Sequence, residues 1–230
     1  LAIAANHLRE AAKISQEPTL KKYLELRAAA LLSDDYQKSD FAWLKLSGDI
    51  EFIIGPYEVY EDRLMGYKAA YESFVTLVDK KFSARLEEFK KYAGELDRNL
   101  PYEDKCRMKR GKDRPIKVVN ELFTAGDTKA GIQTLAFNLP NDEEVRKKAG
   151  YKLVLLKNVA EAKFSATLTP IAQRVINPAQ MKFITFDAFF THTLYHEASH
   201  GIGPGKLKRG QAEVEVRSLL RDQYSANEEA

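Results

Sequence analysis

The chain has 230 residues, enough for one large domain or two smaller lobes with a real core. Hydrophobic residues make up 44% and charged residues 30%, an ordinary globular balance, and the net charge of +3 is scattered among acids, so no nucleic-acid partner is indicated. A single cysteine, Cys106, excludes an internal disulfide and a cysteine-rich zinc site, and no apolar run reaches membrane-spanning length.

Leu1 to Ala5 is apolar but too short for a signal peptide and lacks its basic start. The absence of an initial Met, and an end inside a motif-bearing stretch, read as a piece of a longer protein. Residues 6–47 read as two or three scaffold helices. Leu8, Ala11, Ala12 and Ile14 form a short apolar face, and Leu20, Tyr23, Leu24 and Leu31 restore helical spacing after Pro18. Ser33 or Asp34 is expected to cap a further helix through Phe41, Trp43 and Leu44, and Ser47-Gly48-Asp49 breaks it.

Ile50 to Tyr60 favours strand, with a bulge or edge position at Gly55-Pro56. Tyr67 to Val78 reads as its hairpin partner, with the turn near Arg63 to Gly66. Glu58, Glu61 and Asp62 give the hairpin an acidic tip, either a solvated end or an anchor for a substrate amine. Lys80 to Leu96 is amphipathic, with Phe82, Leu86, Phe89 and Tyr92 on one side. Residues 102–114 read as an exposed charged loop. Its basic residues around Cys106 could lower that thiol's pKa, although an incidental loop thiol is the simpler reading.

Ile116 to Phe123 and Ile132 to Phe137 suggest strands. The glycine-containing stretch between them lacks the ending of a phosphate loop. Asn141 or Asp142 can cap a short helix over Glu143 to Lys148. Lys152 to Leu156 is a short apolar run. Asn158 to Val175 reads as a helix broken near Pro170, and Val214 to Ala230 as a terminal helix.

The chemistry lies in His196-Glu197-Ala198-Ser199-His200, an H-E-x-x-H pattern. On a helix, residues four apart share a face, so both imidazoles can address one zinc while Glu197 is placed to take a proton from the attacking water. His192 extends the spacing to i, i+4, i+8, and Gly201 to Pro204 supply a helix stop. The plain alternative is a histidine stripe without metal. A third ligand is needed, and either Glu228 or Glu229 could complete a His-His-Glu site; alone they would read as a solvated helix end.

Gly55 to Asp62, Glu72 to Val78, Phe137 to Asp142, the H-E-x-x-H segment and Glu228-Glu229-Ala230 occur in this order. Together they resemble the dipeptidyl peptidase III family of zinc peptidases, closest to a bacterial and plant branch associated with fused Nudix hydrolases. The resemblance runs from about residue 50 to the end. It implies an α+β, two-lobed metallopeptidase with a cleft between the lobes. One lobe would be β-barrel-like and carry the N-terminal helices (1–77 and 118–160). The other would be mostly helical and hold zinc (78–117 and 161–230).

By motif match the resemblance makes His196, His200 and Glu229 ligands of one zinc ion per chain, Glu197 the general base, and Glu228 the residue orienting a ligand histidine. Glu58, helped by Asn138 and Asn141, would hold a peptide's free amino terminus. Tyr60 would donate a hydrogen bond to the developing oxyanion. The expected activity is release of dipeptides from the amino terminus of oligopeptides, in the cytoplasm, with no membrane or nucleic-acid partner. Better-known members carry H-E-x-x-x-H; the shorter form here suits an ordinary helix. A histidine and an arginine that assist catalysis in the family lie beyond the second motif and have no counterpart in these residues.

Two other readings compete. A non-catalytic zinc- or peptide-binding module would not need Glu197, since structural zinc sites leave no open position. A Nudix-type hydrolase would need a glutamate-rich helix that the chain lacks.

Overall fold

A computed structural model describes residues 1–58, 70–101, 103, 115–130, 134–199, 206–210, 212–220 and 223. The fold is α+β, as expected. It divides into two compact units. One comprises Leu1–Ser83 and Pro115–Lys182; the other is drawn from the described parts of Ala84–Arg114 and Phe183–Ala230.

The first unit opens with three helices, α1 (Ala2–Ile14), α2 (Pro18–Ser33) and α3 (Gln37–Trp43). Pro18 sits in the first turn of α2, where its missing N–H costs nothing. The Glu17 carboxylate caps that turn by accepting from the Thr19 and Leu20 N–H groups. Asp34 does not cap α3. It ends α2 in the left-handed conformation (φ 61°), its N–H bonded to the Ala30 carbonyl, a role a short polar side chain tolerates.

Five strands follow: β1 (Ile50–Glu58), β2 (Ala70–Val78), β3 (Ile116–Gly126), β4 (Ala136–Leu139) and β5 (Lys152–Leu156). They form one curled sheet in the order β1-β2-β3-β5-β4. All neighbours are antiparallel except β3 and β5. β1 is an edge strand, and its register shifts between Pro56 and Glu58, so the expected bulge is present one residue past the Gly-Pro pair. β4 starts four residues later than the pattern indicated. All five residues of β5 are buried, which fits a strand paired on both sides.

The helices cover one face of this sheet. Leu8, Tyr23, Leu24, Leu31 and Trp43 join Ile53, Phe74, Val119, Phe137, Val154 and Leu156 in a single core. The Phe74 and Phe137 rings stack with centroids 4.9 Å apart. Gly126 (φ 87°) makes a close approach possible, because a Cβ there would stand 2.0 Å from the Tyr71 carbonyl oxygen.

α4 (Lys80–Asn99) runs from the first unit into the second, and Asp79 caps it through the Phe82 N–H. Phe82 and Leu86 are buried, but Tyr92 is 56% exposed and does not belong to the apolar face. Gly126 leads into a single turn, α5 (Asp127–Ala130). α6 (Glu143–Ala149) is capped by Asp142, which accepts from the Val145 N–H at 2.9 Å.

α7 (Lys157–Lys163) and α8 (Thr169–Val175) are joined without a break by a wide helical turn over Phe164–Leu168. There the Thr169 N–H reaches the Phe164 carbonyl five residues back. The expected break at Pro170 is thus a widened turn, which makes room for a ring with no N–H to donate. Asn158 ties α7 to β3, bonding both the N–H and the carbonyl of Glu121 at 2.8 Å.

A short tight turn over Pro178–Phe183 precedes α9 (Phe186–Ser199), which belongs to the second unit. A hairpin follows, β6 (Lys206–Arg209) and β7 (Ala212–Glu215), then α10 (Val216–Leu220). The helix expected from Val214 is therefore a strand at its start. Leu207, Ala212 and Val214 alternate with charged residues around Gly210 (φ 68°), a strand period rather than a helical one. The 63–66 turn, almost all of the 102–114 loop with Cys106, and residues 224–230 lie outside the described residues.

Candidate active site

α9 carries the histidine motif. Thr185 begins it, its hydroxyl accepting from the Ala188 N–H at 3.2 Å. Asp187, placed to favour the helix N-terminus, pairs with Arg85 of α4 at 2.7 Å, and Arg85 also donates to the Thr191 hydroxyl. Phe190, Leu194 and Ala198 form the buried stripe at i, i+4, i+8. Phe186 stacks on Phe190 at 5.4 Å, and Tyr195 stacks on Phe89 of α4 at 4.9 Å. Phe183, just before the helix, is 65% exposed.

His192 and His196 fall on the side away from the stripe, because two residues advance a helix by roughly 200°. His192 is exposed, while His196 and Glu197 are half-buried in the last turn. A half-buried imidazole and carboxylate on consecutive residues suit a zinc site: the one is a borderline-soft donor, the other a base beside it. His200, Glu228 and Glu229 lie outside the described residues. Among the described residues, no group of three or more His, Cys, Asp or Glu side chains is arranged to hold a metal.

The expected amine-binding residues are on the first unit. Glu58 ends β1, its Cα paired with Ala70; Tyr60, Glu61 and Asp62 lie outside the described residues. Asn138 is exposed on β4, opposite Leu153. Asn141 reaches across to β1, its amide donating to the Tyr57 carbonyl at 3.2 Å. The two asparagines flank a cis Leu139–Pro140 bond. The structure thus brings Asn141 to the backbone residue that precedes Glu58.

Two buried ion pairs beneath this region escape a pattern reading. Arg27 is fully buried and donates to the Asp40 carboxylate; the rings of Tyr23, Tyr36 and Tyr57 lie 5.2–5.7 Å from its guanidinium carbon. Burial pushes the Asp40 carboxyl up, with Arg27 pulling against it. Lys152 donates to Glu51 at 2.7 Å and to the Trp43 carbonyl at 2.8 Å, and lies 4.2 Å from the Trp43 ring centroid. Burial lowers the Lys152 ammonium to about 8 and raises the Glu51 carboxyl, each opposed by the other's charge. Spacing held a clue to Arg27: it sits four residues from both Tyr23 and Leu31, within the apolar stripe of α2.

The sequence profile of peptidase family M49 matches residues 1–217. The chain belongs to that family. It is similar to "Nudix hydrolase 3" of Arabidopsis thaliana (44% identity over 229 residues, 99% of this chain and 29% of that one) and "Dipeptidyl peptidase 3" of Dictyostelium discoideum (31% over 201 residues, 86% and 27%). Among solved structures it resembles DPP III from Caldithrix abyssi, with 52% identity, a TM-score of 0.90, and coverage of 99% of this chain and 44% of that one. DPP III from Corallococcus sp. strain EGB gives 46% identity, a TM-score of 0.78, and coverage of 99% and 43%. The chain therefore spans less than a third of the length of these curated relatives and under half of that of these solved chains. No helix among its described residues is long and apolar enough to cross a membrane.

Proposed function

We propose that this M49 chain carries the metal-binding and amine-anchoring residues of a zinc peptidase that releases dipeptides from the amino terminus of oligopeptides. The observation that carries this reading is the last turn of α9. In a chain of this family, it holds His196 and Glu197 side by side, half-buried, with His200 four residues on in sequence. His196, His200 and Glu229 would hold one zinc ion, with Glu228 orienting a ligand histidine. Residues 1–77 with 118–160 would form the β-containing lobe, and residues 78–117 with 161–230 the zinc lobe. A cytoplasmic site of action belongs to the same reading.

Zinc, when bound, supplies the Lewis acidity that lets water be deprotonated near neutral pH and polarises the scissile carbonyl. Glu197 accepts the water's proton and returns it to the leaving amine. Tyr60 donates a hydrogen bond to the oxygen on which negative charge develops. Glu58 holds the substrate's terminal ammonium, and Asn138 and Asn141 offer amides to the peptide backbone.

Glu197→Gln tests the mechanism. Zinc content should be retained and dipeptide release lost by at least a hundredfold, the scale of a positioned acid–base group. Retained turnover removes Glu197 as the base. Glu229→Ala should weaken zinc binding sharply, and unchanged affinity would move the third ligand elsewhere.

A further inference from the structure

The bulge in β1 has a definite shape. Pro56 pairs with Tyr71 and Glu58 with Ala70, so Tyr57 is the extra residue. A bulge resets the register of everything after it, and the first residue after this one is Glu58.

Tyr57 is gripped from several directions. Its buried ring stands 5.7 Å from the Arg27 guanidinium carbon. Its carbonyl accepts from Asn141. Two residues earlier, Gly55 lies so close over Arg27 that a Cβ there would stand 2.9 Å from Nη1 and 2.7 Å from the Tyr57 ring. On the neighbouring strand, the Tyr71 hydroxyl is bonded to that of Tyr36 at 2.8 Å, and the Tyr36 ring also flanks Arg27. Arg27 and Asp40 are therefore the hub against which both sides of the bulge pack.

A buried ion pair is a poor source of net stability, because desolvation offsets most of its attraction. A planar guanidinium held by a carboxylate and flanked by three rings is, however, a rigid platform. We propose that Arg27, fixed by Asp40, is a positioning residue. It holds the Tyr57 bulge and thereby sets where Glu58 stands for the terminal ammonium of a peptide substrate. This inference rests on the reading of Glu58 as the amine anchor.

The test is a calorimetric titration of the 230-residue chain with a tetrapeptide bearing a free amino terminus and with its N-acetylated twin. The wild-type chain should prefer the free amine by about tenfold or more, the scale of one charge-assisted hydrogen bond. Glu58→Gln should abolish that preference. Arg27→Lys keeps a charge beside Asp40 but loses the planar fork; it should bring the preference to within about threefold of unity while Trp43 emission stays native. The double variant Arg27→Met/Asp40→Leu removes the pair without stranding either charge and should do the same. If it fails to fold, Arg27→Lys decides.

A preference that survives in Arg27→Lys overturns the inference. So does an equal weakening of both peptides, since a merely structural role would act on both alike. A wild-type chain with no preference, or a Glu58→Gln variant that keeps it, overturns the reading of Glu58 itself and the inference with it.

Discussion

Replacing Lys152 with Met should cost the first unit about 3–5 kcal/mol at pH 7, the range for removing one partner of a buried ion pair. The ammonium is fully buried and makes two hydrogen bonds, to Glu51 Oε1 and to the Trp43 carbonyl. Methionine fills similar volume, so little of the loss is a cavity. The loss comes from Glu51, 2% exposed and left as a lone carboxylate. Its folded pKa then lies far above its unfolded one, so the folded variant gains stability as pH falls toward 4.5 and Glu51 takes up a proton. The deficit against wild type should therefore shrink between pH 7 and pH 5.

The double variant Lys152→Met/Glu51→Leu should recover to within about 1–2 kcal/mol of wild type, because both charges leave together. Urea unfolding followed by tryptophan emission reads this directly. Trp43 is the chain's single tryptophan, fully buried, with the Lys152 ammonium 4.2 Å from its ring centroid. A loss below about 1 kcal/mol for Lys152→Met, or a double variant no better than the single, would refute this account of the pair.

The wild-type pair also has a pH signature. Lys152 titrates at about 8 in the fold and near 10.5 when unfolded, so the unfolded chain holds the extra proton between these values and stability rises with pH there. Burial raises Tyr23 to about 12, so above pH 10 the folded chain keeps a proton the unfolded one loses, and stability falls. NMR titration of the Lys152 side chain should give a midpoint near 8; a normal lysine value would mean that the charge of Glu51 offsets the desolvation, and the rise in stability with pH would be absent. Gly126→Ala should destabilise the first unit by at least about 3 kcal/mol, since both a positive φ and a 2.0 Å clash with the Tyr71 oxygen oppose it. A thermal unfolding midpoint shifted by less than a degree would contradict that.

Much of this fold is legible because periodicity and turn chemistry act locally. The stripe of α2, the alternation in β1 and β2 and the Asp142 cap each follow from a few adjacent residues. The rest depends on partners distant in sequence. Val214 looks helical beside Val216, Leu219 and Leu220, but pairing with Leu207 draws it into a strand. Asp34 resembles an N-cap in sequence, yet it serves the helix before it. The ion pairs of Arg27 and Lys152 are invisible to a local reading because their acids lie 13 and 101 residues away. At the candidate site, the helical setting of His196 and Glu197 was legible from spacing. The fixing of Glu58's backbone by Tyr57, Asn141 and Arg27 was not, since it is assembled from α2, β1 and the segment after β4.

We propose that the H-E-x-x-H segment of this M49 chain holds zinc. The most direct test is the zinc content per mole of purified chain after reconstitution, beside a His196→Ala variant. About one zinc per wild-type chain and almost none in the variant is the predicted result. No zinc in the wild-type chain, or an equal amount in the variant, would contradict it.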